Sequence, residues 1–185
     1  MRIEGTYASQ GPRDRIFALL VDEEVLRRCV PGCRRLTKEG EDRFSVALDV
    51  GLGSVTGSYE GTVSLSEKVP PERLQIDIEG KGKLGFVRGK ASLRLAAAAQ
   101  NGAPSTLIAY QGEVQIGGTI ASVGQRVLQG TAKMMAGQFF AAVEAEAVAA
   151  ETASVTPVRH GPWQNFFRWL RSILRSMFRR PTRTA

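Results

Sequence analysis

Few residues of this chain have both the type and the spacing that catalysis needs. His160 is the sole imidazole and lies in a proline-containing linker, so no Ser/His/Asp arrangement can form around it. Cys29 and Cys33 are four apart, but Pro31 and Gly32 break any helix that would align them, and no third or fourth metal ligand is near. Two free thiols, buried or half-buried in a reducing compartment, are expected. Gly80-Lys81-Gly82-Lys83-Leu84-Gly85 has the glycine spacing of a dinucleotide fingerprint. That motif grips a pyrophosphate only where it follows a parallel strand and opens a helix. Here FVRGKASLRL follows and reads as strand, so the glycines are expected to serve bulges and curvature. Asp49, Asp77 and Glu79 fall on surface-like strands, with no pair converging on a pocket for acid–base work. Tyr59 and Tyr110 remain: each could orient a carbonyl-bearing ligand with its hydroxyl or simply fill the core, and both readings stand.

The charge has an address. From Arg159 onward the chain has seven arginines, no lysine and no acid, which leaves residues 1–158 with 18 basic and 18 acidic side chains. The formal charge of +7 therefore describes a neutral domain with a cationic tail. On a helical wheel of about 100° per residue, Trp163, Phe166, Phe167, Leu170, Ile173, Leu174, Met177 and Phe178 fall within an arc of about 140°. Arg168, Arg171, Arg175 and Arg179 form a flanking stripe. This is the pattern of a helix lying in a membrane interface, with arginines at lipid phosphates. A partner's groove and the chain's own domain are alternative docking places for such a helix. Nucleic acid is disfavoured, because the large apolar residues share one face without interleaved polar contacts.

The elements that would position these residues follow from periodicity. Arg2 to Ala8 reads as a short strand; Pro12 opens one short helix and Asp22 caps another, stopped at Pro31-Gly32. From Arg34 to Gln115 the period is two: Phe44, Val46, Leu48 and Val50 share one face of a strand, Val55, Tyr59, Val63 and Leu65 share one face of the next, and Pro70-Pro71 connects to Leu74, Ile76 and Ile78. Six strands in a meander are expected, with Asn101-Gly102 as one of the turns. Thr119 to about Ala149 reads as one long helix. The fold class is α+β: a curved antiparallel sheet wrapped around a long helix, over residues 1–150, followed by a linker (151–162) and a separate amphipathic helix (163–180). Between sheet and helix a ligand cavity is expected, lined by Tyr59, Phe86, Tyr110, Val127 and Met134. No metal site and no catalytic residues are expected. MRIEGTYASQ has no apolar signal core, and no run of 18 uncharged apolar residues occurs, so a cytoplasmic protein, peripheral on the inner face of the membrane, is expected.

Several segments resemble the CoxG family, the G subunits of carbon monoxide dehydrogenase, within the START/Bet v1-like superfamily of helix-grip proteins. They are Glu24-Val25-Leu26 through Cys29-Val30-Pro31-Gly32-Cys33, GLGSVTGSYEGTVSLSE at 51–67 with Pro70-Pro71-Glu72, GKGKLGFVRGKASLRL at 80–95, and TLIAYQGEVQIGGTIASVGQRVLQGTAKMMAGQFF at 106–140. The resemblance implies an accessory protein, not an enzyme, that recruits a molybdenum-containing dehydrogenase or related hydroxylase to the membrane through its C-terminal extension. It also implies a cavity for a hydrophobic molecule, with menaquinone or ubiquinone as the respiratory quinone carried. Some members end in a more hydrophobic segment; the Arg-rich tail here points instead to peripheral attachment at an anionic surface. A small cyclase or aromatase, or a general lipid carrier of the same superfamily, is the alternative.

Overall fold

The computed structural model describes residues 1–52 and 55–155 of the chain, with side chains at 52, 55 and 150–155 left aside. Its compact unit is Met1–Thr152. The chain opens with β1 (Arg2–Gln10), α1 (Arg13–Leu20) and α2 (Glu23–Cys29). Six strands follow: β2 (Cys33–Lys38), β3 (Arg43–Leu52), β4 (Val55–Val69), β5 (Arg73–Gly82), β6 (Gly85–Gln100) and β7 (Ala103–Gly117). They form one antiparallel sheet in the order β1-β7-β6-β5-β4-β3-β2, so the first strand closes against the last.

Local chemistry explains the boundaries. Pro12 sits at the α1 N-cap, where its missing N–H costs nothing. Asp22 caps α2 by accepting a hydrogen bond from the Val25 amide at 2.9 Å. Asn101 and Gly102 both have positive φ, 53° and 79°, which turns β6 tightly into β7. The fingerprint-like glycines lie on the β5–β6 hairpin, with Gly82 paired to Gly85, and no helix follows them. At Gly61 the strands approach so closely that a Cβ would stand 1.9 Å from the Glu79 carbonyl oxygen.

The concave face of the sheet carries the apolar half of each alternation. Phe44, Val46, Leu65, Leu74, Leu93 and Ile108 are buried there in one cluster. The same cluster takes in Ile16, Phe17 and Leu20 from α1, and Val25, Leu26 and Cys29 from α2.

The expected helix over Thr119–Ala149 is corrected. Thr119–Val123 is a 3-10 turn, and the α-helix α3 runs Gln125–Val155. Gly124 separates them at φ 91° and ψ 142°, a backbone state outside the helical well. α3 is held mainly by its second half. Phe140, Val143 and Ala147 are buried against the sheet. Glu144 accepts hydrogen bonds from the Tyr7 hydroxyl (2.6 Å) and the Gln10 amide (2.8 Å). Glu146 pairs with Arg28 of α2 at 2.7 Å. In the first half, up to Phe139, Leu128 is the one fully buried side chain.

Candidate functional site

Between the concave face and α3 lies an apolar cavity in two joined lobes. The first, about 340 Å³, is bounded by Leu74, Leu93 and Tyr110 of the sheet and by Phe139 and Phe140 of α3. The second, about 330 Å³, is bounded by Val50, Tyr59, Ile116, Ile120 and Leu128. Ala132 and Met135 belong to both walls, as do Val46, Leu48 and Val63. The space exists because the sheet is too strongly curved for α3 to fill. Ala132 occupies the helix position above the junction, where a larger residue would close it.

Two wall tyrosines, Tyr59 and Tyr110, have hydroxyls without a hydrogen-bond partner among the described residues. Tyr59 is 7% exposed, and its hydroxyl oxygen is buried without a hydrogen-bond partner. The ring is held between Gly57 and Gly82, at either of which a Cβ would come within 3.2 Å of it. Burial pushes the phenol pKa up, so the group is a neutral donor at any physiological pH. Tyr110 lines the other lobe, its ring 5.5 Å from that of Phe140 and lying over Gly5, its partner on β1.

Three residues expected in the wall stand elsewhere. Phe86 is 39% exposed; its ring covers Gly117 and lies 5.9 Å from the Arg88 guanidinium, because strand alternation sends Val87 inward instead. Val127 and Met134 are exposed on α3, at 44% and 53%. The helix is turned so that Leu128, Ala132, Met135 and Phe139 face the cavity, a register set by the burial of Phe140 and Val143. The tail residues Trp163, Phe166, Phe167, Arg168, Leu170, Arg171, Ile173, Leu174, Arg175, Met177 and Phe178 lie outside the described residues.

The candidate acids are engaged in ion pairs; Asp77 and Glu79 line one concavity of about 700 Å³ together with their partners Lys90 and Arg88, and Glu79 also borders the second lobe. Asp49 pairs with Arg34 at 3.2 Å, Asp77 with Lys90 at 3.6 Å and Glu79 with Arg88 at 3.6 Å, in cross-strand contacts around the outer face. Tyr7 and Glu144 do form a tyrosine–carboxylate pair, and burial together with Glu144 pushes the Tyr7 pKa up to about 12. Neither residue lines either lobe, and the second Glu144 oxygen is taken by the Gln10 amide. That pair fastens α3 to β1. Cys29 and Cys33 are free thiols, and burial raises the pKa of both.

Residues 5–148, which include the sheet, the cavity and most of α3, match the family model for the carbon monoxide dehydrogenase G subunit, CoxG. The chain belongs to the CoxG family. Among solved structures, this CoxG-family chain is similar to a conserved protein from Geobacillus kaustophilus, with 27% identity and a TM-score of 0.76 over 81% of this chain and 97% of that one. It also resembles a START superfamily protein from Mycobacterium smegmatis (12% identity, TM-score 0.60, 80% and 98% covered). The Zhui aromatase/cyclase from Streptomyces sp. R1128 is a further likeness (14% identity, TM-score 0.55, 80% and 93% covered). The last two establish the helix-grip fold alone. A search of curated proteins found no match.

Proposed function

We propose that this CoxG-family protein is a non-catalytic accessory that recruits a molybdenum-containing carbon monoxide dehydrogenase, or a related hydroxylase, to the inner face of the cytoplasmic membrane. In this reading its cavity carries a respiratory quinone, menaquinone or ubiquinone, to or from that enzyme. The observation that carries the proposal is the apolar two-lobed cavity with a tyrosine hydroxyl in the wall of each lobe, Tyr110 in the first and Tyr59 in the second, neither with a hydrogen-bond partner among the described residues. A quinone fits such a site: its prenyl chain needs hydrocarbon walls, and a ring carbonyl accepts one hydrogen bond. The volume lies within the range of small-molecule sites. Support for the accessory role comes from the family. Attachment rests on the amphipathic, Arg-rich sequence 163–180, at about 1 kcal/mol per arginine near an anionic surface. No described helix is long and apolar enough to span a bilayer.

Two measurements test this. Full-length protein is incubated with phosphatidylglycerol vesicles containing menaquinone, re-isolated and extracted with solvent; quinone should co-purify, and its absence sinks the carrier role. In flotation with the same vesicles, a chain cut after Val158 should stay at the bottom of the gradient. If it floats as well as the full chain, the tail is not the attachment.

A further inference from the structure

Strands β6 and β7 run on past the end of β5. Pairing of β5 with β6 begins at Arg73 and Arg94, whereas β6 continues against β7 as far as Gln100 and Ala103. The last hydrogen bond on the β5 side is donated by the Leu95 amide to the Glu72 carbonyl at 2.7 Å. In an antiparallel strand every second residue directs its N–H and C=O to the same side. The backbone groups of Ala97 and Ala99 therefore face the side that β5 has left. Residues 96–100 are all exposed. They read Ala-Ala-Ala-Ala-Gln and pair with β7 without a register shift. An edge this plain lacks the lysine, proline or bulge with which proteins usually block strand addition.

Beside that edge is a concavity of about 430 Å³ walled by Arg13, Arg73, Arg94 and Glu72, with Leu95, Ala96 and Ala97 completing it. Arg73 and Arg94 stand directly opposite each other across the two strands, a like-charge placement that costs stability unless an anion intervenes. No ion pair engages either of them among the described residues. Arg13 reaches Glu72 only at 3.9 Å, and its Nε is buried without a partner. Three guanidinium groups thus share one carboxylate next to open backbone.

We propose that this is a docking edge for an acidic, extended segment of a partner protein. The segment adds as a strand along Ala97 and Ala99 and sets its carboxylates against Arg13, Arg73 and Arg94. The backbone supplies affinity and the arginines select the sequence, as in other strand-addition sites. A second copy of the same overhang would bring no complement, since residues 96–104 contain no acid.

The probe is a fluorescein-labelled nonapeptide alternating Glu with Val and Thr, titrated against the full-length chain by anisotropy. Saturable binding is expected, with none for the same peptide carrying Lys in place of Glu. Arg94→Glu should weaken it by at least about tenfold, the scale of losing a charge-assisted hydrogen bond. Ala97→Pro, which removes an edge amide but leaves the β7 ladder intact, should weaken it comparably. In the unaltered protein the Ala97 and Ala99 amides should exchange with deuterium more slowly once peptide is bound; this readout stands even if a variant fails to fold. Unchanged exchange at those two amides overturns the proposal. So does undiminished binding by folded Ala97→Pro, which leaves only an anion site, or a peptide-free dimer that Ala97→Pro abolishes.

Discussion

Replacing Tyr59 by Phe should move stability and ligand affinity in opposite directions. The hydroxyl is buried with no partner, so the ligand-free fold bears the desolvation cost of that group, about 1–3 kcal/mol. Phe keeps the ring between Gly57 and Gly82 and opens no cavity larger than one oxygen. Delipidated Tyr59→Phe protein should therefore be more stable by about 1–3 kcal/mol, which for a chain of this size raises Tm by roughly 2–4 °C per kcal/mol. With a quinone bound, the wild-type hydroxyl gains an acceptor and the variant does not. A net hydrogen bond is worth about 0.5–1.5 kcal/mol, so quinone affinity should fall by roughly two- to tenfold. Scanning calorimetry of delipidated protein reads the first effect, and titration with a short-chain ubiquinone reads the second. If the variant melts at or below the wild-type temperature, the hydroxyl is satisfied without ligand and the reasoning fails. If it is stabilised but binds quinone equally well, the oxygen of the cargo is not at Tyr59.

Three other expectations follow from the geometry. Ala132→Trp, at the junction of the two lobes, should cut quinone binding by at least about tenfold, while Met134→Trp, two residues on and exposed, should leave it unchanged; the reverse order would mean that α3 is turned the other way. Gly61→Ala should cost about 2–4 kcal/mol in urea titration, because its Cβ would collide with the Glu79 carbonyl oxygen, and a change under about 0.5 kcal/mol would contradict that close approach. The native state keeps the Tyr7 proton to about pH 12, whereas an unfolded tyrosine loses it near 10. The stability from this shift is complete below pH 10 and falls away towards 12, by about 1–2 kcal/mol once solvent screening of this partly exposed pair is allowed for. Tyr7→Phe should lack that decline, so identical stability–pH curves between pH 9 and 12 would refute it.

The strands were legible because a sheet with one buried face writes its geometry in period two. Phe44, Val46, Leu48 and Val50, or Leu74, Ile76 and Ile78, name the concave face without a structure. Even the outward turn of Phe86 is readable: stepping back by twos from Leu93 gives Ala91, Gly89 and Val87. A large aromatic weighed against a valine hid it. The helix was harder. α3 carries alanine on its buried, half-buried and exposed sides, at 147, 136 and 141, so hydrophobic contrast does not fix its rotation. A one-residue error separates Met134 from Met135. The break at Gly124 has a local signal in that glycine, but the absence of proline favoured continuity. The polar groups of the cavity were half legible: sequence brings Tyr59 and Tyr110 forward together, and only packing tells that the Tyr59 hydroxyl is the fully enclosed one. The β6 overhang has no signature at all, since it depends on where a neighbouring strand stops.

The unequal fastening of α3 makes it a cantilever. Its second half is clamped by Phe140, Val143 and Ala147 and by two carboxylates, while its first half is held by Leu128, about 1.5–3 kcal/mol of burial, by the Gln129 side-chain amide donating to the Arg2 carbonyl at 3.4 Å, and through Gly124 by the buried Ile120. Displacing the first half would uncover the second lobe at the cost of these few contacts and leave the clamp in place. Loading and unloading of the proposed cargo by that route would be local events, decoupled from global unfolding. The residence time of such a cargo would then be set by its own grip on the walls, not by the stability of the fold that surrounds it.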